Sequence, residues 1–122
     1  MFLNLAHTRL EVYKISQGLA LECYRITKKF PADERFALVQ QIRRAATSVH
    51  LNLSEVCSRK SLRERNRYFE MSRGSVIEID SAIGITFNLQ YVPIEELQPL
   101  GNLIIKTFKL LSGLIKTEES TH

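Results

Sequence analysis

The sequence predicts an all-α protein, an antiparallel up-down-up-down four-helix bundle, and three observations carry that prediction. Apolar residues recur at three- and four-residue steps through four segments, the period of a helix face. The breaks between segments are short and fall at Pro31, at Ser61 and at Tyr91-Val92-Pro93. No stretch alternates apolar and polar residues as a strand would. Long helices joined by short connections run antiparallel to their neighbours. Helices are expected at about 8–29, 33–58, 61–90 and 94–116, within a single domain of 122 residues.

The first helix is expected from about Thr8 to Lys29, with Val12, Ile15, Leu19, Cys23, Ile26 and Phe30 on one face. Pro31 ends it, because a proline pushes the preceding residue out of helical geometry. The second is expected to start near Ala32 or Asp33, with Asp33 and Glu34 where the helix dipole favours negative charge. Val39, Ile42, Ala46, Val49, Leu53 and Val56 then alternate steps of three and four. That is a coiled-coil-like seam, and it runs out near Ser58.

Ser61 and Glu64 form an S-x-x-E capping box at the head of the third helix, each side chain satisfying the other's free backbone N–H. Phe69, Ser72, Val76, Ile79, Ile83 and Thr86 carry the seam to about Gln90, a helix roughly 45 Å long at 1.5 Å per residue. Gly74 and Ser75 interrupt it, the glycine at a cost of about 1 kcal/mol in propensity. Small residues there are expected to let a neighbouring helix approach closely. The fourth helix is expected from Ile94 to Lys116 with Leu97, Leu100, Ile104, Phe108, Leu111 and Ile115 inward. Pro99 should kink its first turns or delay its start, and the polar tail Thr117 to His122 should fray.

Composition excludes several classes. With 44% hydrophobic and 25% charged residues the chain is globular rather than disordered. No apolar run approaches the roughly 18 residues of a membrane span, and Met1 to His7 lacks the basic flank and apolar stretch of a signal peptide. Cys23 and Cys57 lack C-x-x-C spacing and read as buried or half-buried free thiols, which suits the cytoplasm. His7, His50 and His122 are scattered, without H-E-x-x-H, a Glu-x-x-His pair or a Gly-rich phosphate loop. No catalytic residue, metal or cofactor is therefore expected. Asn52 and Glu55 read as solvated or inter-helix polar contacts, and a hydrolase reading would need metal-dependent turnover through Glu55.

Charge is unevenly placed. Between Arg43 and Arg73 there are eight basic residues against three acidic ones, while the rest of the chain has nine basic against ten acidic. Clustered positive charge favours a polyanionic partner. Arg43, Arg44, Arg59, Lys60, Arg63 and Arg67 are the candidate nucleic-acid contacts, since guanidinium groups can donate paired hydrogen bonds to phosphate. Arg65 and Arg73 lie on or beside the seam of the third helix, where unpaired burial would be costly. They are assigned, with Asn52 and Glu55, to oligomer or inter-helix contacts, near partners such as Glu55 or Glu70. Tyr24, Tyr68 and Phe69 could stack bases, but at these spacings they read first as core or interface residues.

The run Leu10-Glu11-Val12-Tyr13-Lys14, then Tyr24-Arg25-Ile26-Thr27-Lys28-Lys29-Phe30-Pro31, resembles the first helix of the 23S rRNA intervening sequence protein family. Gln41-Ile42-Arg43-Arg44-Ala45, with Ala46, Ser48 and Val49, is similar to its Q-I-R-R-A-x-x-S-I signature. Asn52-Leu53-Ser54-Glu55 resembles its N-I-A-E block, Ser72-Arg73-Gly74-Ser75 with Glu78 its A-R-G-S-x-x-E block, and Leu111 to Lys116 its closing L-x-x-L-I-K. Val56 and Cys57 depart from the glycine usual after N-I-A-E, and His50-Leu51 from the proline often found before the block, so the second helix should run on further here. The resemblance implies a four-helix bundle, a homo-oligomer with a pentamer favoured, and association with RNA. Similar bundles serve as accessory subunits of reverse transcriptases in diversity-generating retroelements. The expected function is a non-catalytic, oligomeric nucleic-acid-binding bundle, RNA before DNA. The alternative is an accessory subunit that contacts nucleic acid only jointly with a partner such as a reverse transcriptase.

Overall fold

The computed structural model describes residues 1–115, apart from the side chain of Arg9; Lys116 and the tail Thr117 to His122 lie outside the described residues. Four helices dominate: α1 Glu11–Thr27, α2 Leu38–Ser58, α3 Leu62–Asn88 and α4 Ile94–Leu114. Single 3-10 turns at Ala6–Arg9 and Ala32–Glu34 precede α1 and α2, and there is no strand among the described residues.

Side-chain pairs fix the register. Ser16 Oγ on α1 meets His50 Nδ1 on α2 at 2.7 Å, and Arg43 Nε donates to Thr27 Oγ1 at 2.9 Å, so early α1 faces late α2. Ser72 Oγ on α3 donates to the Val49 carbonyl at 2.7 Å, and Ser75 Oγ to Ser48 Oγ at 3.0 Å. Arg73 Nη1 reaches Ser112 Oγ at 3.2 Å. Lys106 pairs with Glu11 at 3.4 Å and Lys29 with Glu96 at 2.9 Å, closing α4 onto α1. Every neighbouring pair is antiparallel, and the four helices make a closed square, the up-down-up-down bundle.

Leu19, Ile26, Ile42, Leu53, Ile79, Leu100 and Leu111 are fully buried at the centre. Each stabilises the fold by about 1.5–3 kcal/mol relative to an exposed side chain. All six seam positions expected of α2 are buried, with Ala45 added. On α3 the seam is met at Phe69, Ser72, Val76, Ile79 and Thr86, with Ala82 buried and Ile83 packed at the margin.

The differences from expectation are local. The α1 helix starts at Glu11 because Leu10 is extended (φ −68°, ψ 136°), which lets the Ala6–Arg9 turn fold back and bury His7 edge-on against Tyr13. Ser16 is fully buried and Ile15 only half-buried, since the α1 face is set by contact with His50. The α2 helix begins at Leu38, not near Asp33, and Ala37 breaks it (φ −122°, ψ −103°). Phe36 is 81% exposed, so an earlier turn would bury nothing that could hold it. Pro99 does not delay α4, which is helical from Ile94 onward. Thr107 takes the inward position expected of Phe108, which is 38% exposed; its hydroxyl donates to the Leu103 carbonyl at 2.6 Å, so it enters the core satisfied. The close-approach expectation is met at Ser75, but a Cβ at Gly74 would meet nothing within 4 Å, and nothing within this chain explains that glycine.

The α3 helix ends with Gln90 in the left-handed region (φ 60°), its N–H bonded to the Phe87 carbonyl at 2.9 Å and the Tyr91 N–H to the Thr86 carbonyl at 3.3 Å. This is a Schellman cap at a position that favours glycine. Gln90→Gly is therefore expected to stabilise the protein by about 0.5–1 kcal/mol, read as a higher denaturant midpoint; a lower midpoint would refute the account of this cap.

His50 packs against Tyr13, ring centroids 4.3 Å apart, and burial holds its pKa below the ordinary histidine value, with His7 and the N-terminal amine adding to the effect. A depressed pKa means that the unfolded chain binds the proton more readily. The contribution to stability is full above about pH 6.5, the unfolded value, and is lost as pH falls below it. Thermal melts between pH 8 and pH 5 should show a smaller acid-induced loss in His50→Gln than in the parent protein. Equal losses would exclude His50 as the source.

Candidate nucleic-acid interface

The α2–α3 turn is three residues long and tightly built. Arg59 is extended (φ −98°, ψ 141°) with its N–H on the Val56 carbonyl, and Ser61 is the N-cap of α3, accepting from the Glu64 N–H at 3.1 Å. The α2 helix thus ends at Ser58 despite the absence of a glycine. Arg65 Nε donates to the Arg59 carbonyl at 2.9 Å and ties the first turn of α3 back across the connection.

Arg59 is held within the protein. Its Nη2 donates to Glu55 Oε2 at 3.1 Å, its guanidinium lies 4.7 Å over the Tyr68 ring, and its Nε is buried without a partner among the described residues. Ser58 Oγ reaches the same Glu55 carboxylate at 3.3 Å. Glu55 is thus the residue that orients Arg59. Lys60, Arg63 and Arg67 differ: all three are exposed, and among the described residues none makes an ion pair, Glu64 and Glu70 included. Arg63 and Arg67 are one helical turn apart on α3.

Arg43 and Arg44 lie elsewhere. They are 15 and 14 residues before the end of α2, about 22 Å at 1.5 Å per residue. Arg43 is turned into the α1–α2 groove, where it bonds Thr27 and lies 4.7 Å over the Tyr24 ring; Arg44 is exposed. The contiguous sequence excess therefore divides between the α2–α3 end of the bundle and the region near its opposite end, where Arg43 meets Thr27, the last residue of α1. Of the aromatic candidates, Phe69 is buried, and Tyr24 and Tyr68 are each covered by an arginine.

The polar residues assigned to inter-helix contacts are distributed along the molecule. Asn52 Nδ2 donates to the Ser48 carbonyl at 2.9 Å and to Ser48 Oγ at 3.0 Å, and Ser48 in turn meets Ser75, so Asn52 reaches α3 through one hydroxyl. Arg73 bridges to α4, at Ser112 and 5.9 Å over the Phe108 ring. Arg65 and Arg73 thus find the Arg59 carbonyl and Ser112 as partners, in place of Glu55 or Glu70.

Two features were not singled out in the sequence. Val76, Ile77, Ile104, Ile105 and Phe108 line an open groove of about 310 Å³ between α3 and α4, with Asp80 and Lys109 beside them. Ile77 and Ile105 are apolar residues outside the seams, which is the signal that could have found it. His7, which read as isolated, is more than nine-tenths buried, and its Nδ1 has no partner among the described residues. Cys57 is exposed rather than half-buried, whereas burial pushes the Cys23 thiol up to about 12. Among the described residues no cluster of His, Cys, Asp and Glu could hold a metal ion, and no helix is long and apolar enough to cross a membrane.

The fold has a counterpart in a crystal structure from Bacteroides thetaiotaomicron VPI-5482, a protein of unknown function from the S23 ribosomal protein family. The two share 21% sequence identity and superpose with a TM-score of 0.79, over 87% of this chain and 96% of the other. No curated protein matches the sequence. The family model described as 23S rRNA-intervening sequence protein matches residues 8–113, nearly all of the bundle. The chain belongs to the 23S rRNA-intervening sequence protein family.

Proposed function

We propose that this protein is a non-catalytic RNA-binding bundle that grips phosphates at its α2–α3 turn and works as a homo-oligomer in the cytoplasm. One observation carries the reading: Lys60 in the turn and Arg63 and Arg67 at the start of α3 are exposed and without an ion pair among the described residues. Cations already satisfied within a protein gain little from phosphate, while exposed ones release the counterions condensed on RNA. Membership of an rRNA-associated family supports RNA over DNA.

Arg59 acts in this reading as a positioning residue, fixing the turn through Glu55 and Tyr68. Arg44 adds an exposed charge further along α2, and Arg43 contributes mainly to packing. A single turn with three cations binds weakly, and closed assembly multiplies it by avidity. The α3–α4 groove, with Ile77, Ile105 and Phe108 exposed, supplies apolar surface for such assembly, and the family resemblance is the ground for favouring a pentameric ring. The same groove would also accept a protein partner, a reverse transcriptase among them, in which case RNA would be contacted only jointly.

Titration of structured RNA into the purified protein across a salt series, with its mass measured alongside, tests the proposal. Lys60→Ala/Arg63→Ala/Arg67→Ala is expected to lower the slope of log K against log salt by about one per residue removed and to leave the melting temperature unchanged. A parent oligomer that fails to bind at low salt would favour the accessory-subunit reading. An unaltered slope in the triple variant would exclude the turn as the contact.

A further inference from the structure

The α2–α3 end of the bundle also contains an open pocket of about 310 Å³, bordered by the Ala6–Arg9 turn and the adjoining ends of α2, α3 and α4. Its walls are apolar, formed by Leu10, Val56, Leu62 and Phe69. Three polar side chains, His7, Arg65 and Asn66, break that surface. His7 lines the cavity, is only 8% exposed, and leaves Nδ1 without a partner among the described residues. Arg65 also lines it, its guanidinium anchored by the Nε bond to the Arg59 carbonyl.

We infer that this cavity is a socket for one unstacked nucleobase, so that the RNA held at the turn is single-stranded there. The inference rests on the proposed phosphate contact and specifies which form of RNA makes it. An apolar slot with one unsatisfied polar atom suits a flat, mostly apolar group that carries hydrogen-bonding edges. A nucleobase offers both donors and acceptors, so it can satisfy His7 Nδ1 in either tautomer, whereas an aliphatic side chain would leave the buried nitrogen unpaired at a cost. The volume is at the small end of ligand pockets, and a base can enter such a pocket only when it is unpaired and out of its stack. Proteins that read RNA commonly take splayed bases from single strands and loops in this way. Arg65 at the pocket, with Lys60 on the adjoining turn and Arg63 in the first turn of α3, would meet the phosphates on either side of the inserted base.

The chain carries its own reporter for this socket. Cys57 lines the cavity and is exposed, while Cys23 is sealed in the core, so alkylation of the folded protein reads Cys57 alone. The probes are adenosine and uridine 5′-monophosphate, a ten-nucleotide single-stranded RNA, and a blunt RNA duplex of the same length. Saturating mononucleotide and single strand are expected to slow Cys57 alkylation by about tenfold, and the single strand should bind about tenfold more tightly than the duplex. His7→Phe keeps the ring and removes the nitrogen; it should lose that preference while duplex binding stays as it was, with unreactive Cys23 confirming the fold. Equal, salt-dependent binding of both RNA forms with Cys57 unprotected by mononucleotide would overturn the socket and leave the phosphate contact standing. Failure to bind either form would overturn both.

Discussion

The α2–α3 seam is the constraint on which the rest of the bundle depends. Ala45, Ala46 and Ser72 are buried along it, and small side chains let the two helix backbones come close. Ser72 donates to the Val49 carbonyl across the gap, so the register of α3 on α2 is set by a directional bond as well as by apolar packing. A slip of one residue would strand that hydroxyl and turn Val49, Leu53, Val76 and Ile79 out of the core. The short turn between the helices follows from this register. With Val56 and Phe69 both buried at the end of the seam, the chain must reverse within a few residues, and Arg59, Lys60 and Ser61 do so.

Other hydroxyls enter the core on different terms. Thr27, Thr86 and Thr107 bond to carbonyls one turn back in their own helices, at 2.7, 2.9 and 2.6 Å. Each is thereby satisfied within its own helix, and Thr27 Oγ1 in addition accepts from Arg43 on α2. Ser72 is different because the bond it donates crosses to another helix. Ser16 and His50 form another such crossing, between α1 and α2, where the ring contacts of Tyr13 with His7 and His50 join the Ala6–Arg9 turn to the body. That turn then closes one side of the cavity beside the cations.

The cationic segment shows how similar side chains are divided by their surroundings. Arg43 and Arg59 each lie over a tyrosine ring and bond to the protein, Arg65 and Arg73 stitch elements together, and Lys60, Arg63 and Arg67 extend into solvent. Arginine serves both purposes because its planar, weakly hydrated cation stacks as readily as it binds anions. Arg59 and Arg65 tie the turn to α2 and α3, so its backbone is held while Lys60, Arg63 and Arg67 stay exposed.

The sequence by itself determined the four helices, their antiparallel order, the α2 seam from Val39 to Val56 and the Ser61 cap, because helix period and capping are local properties of the chain. It also marked the segment in which basic residues are concentrated, and its family signature in α2 and α3. Only the tertiary structure decided which arginines are engaged and which are exposed, since residues adjacent in sequence, such as Arg43 and Arg44, point to different neighbours. It decided too that Thr107 rather than Phe108 enters the core, a choice made by the phase of α4 against α1 and α3 and not by hydrophobicity. His7 read as an isolated residue until the fold brought it beside Tyr13, Leu62 and Phe69. Burial and cavities are properties of several segments at once, and no periodicity within one segment encodes them.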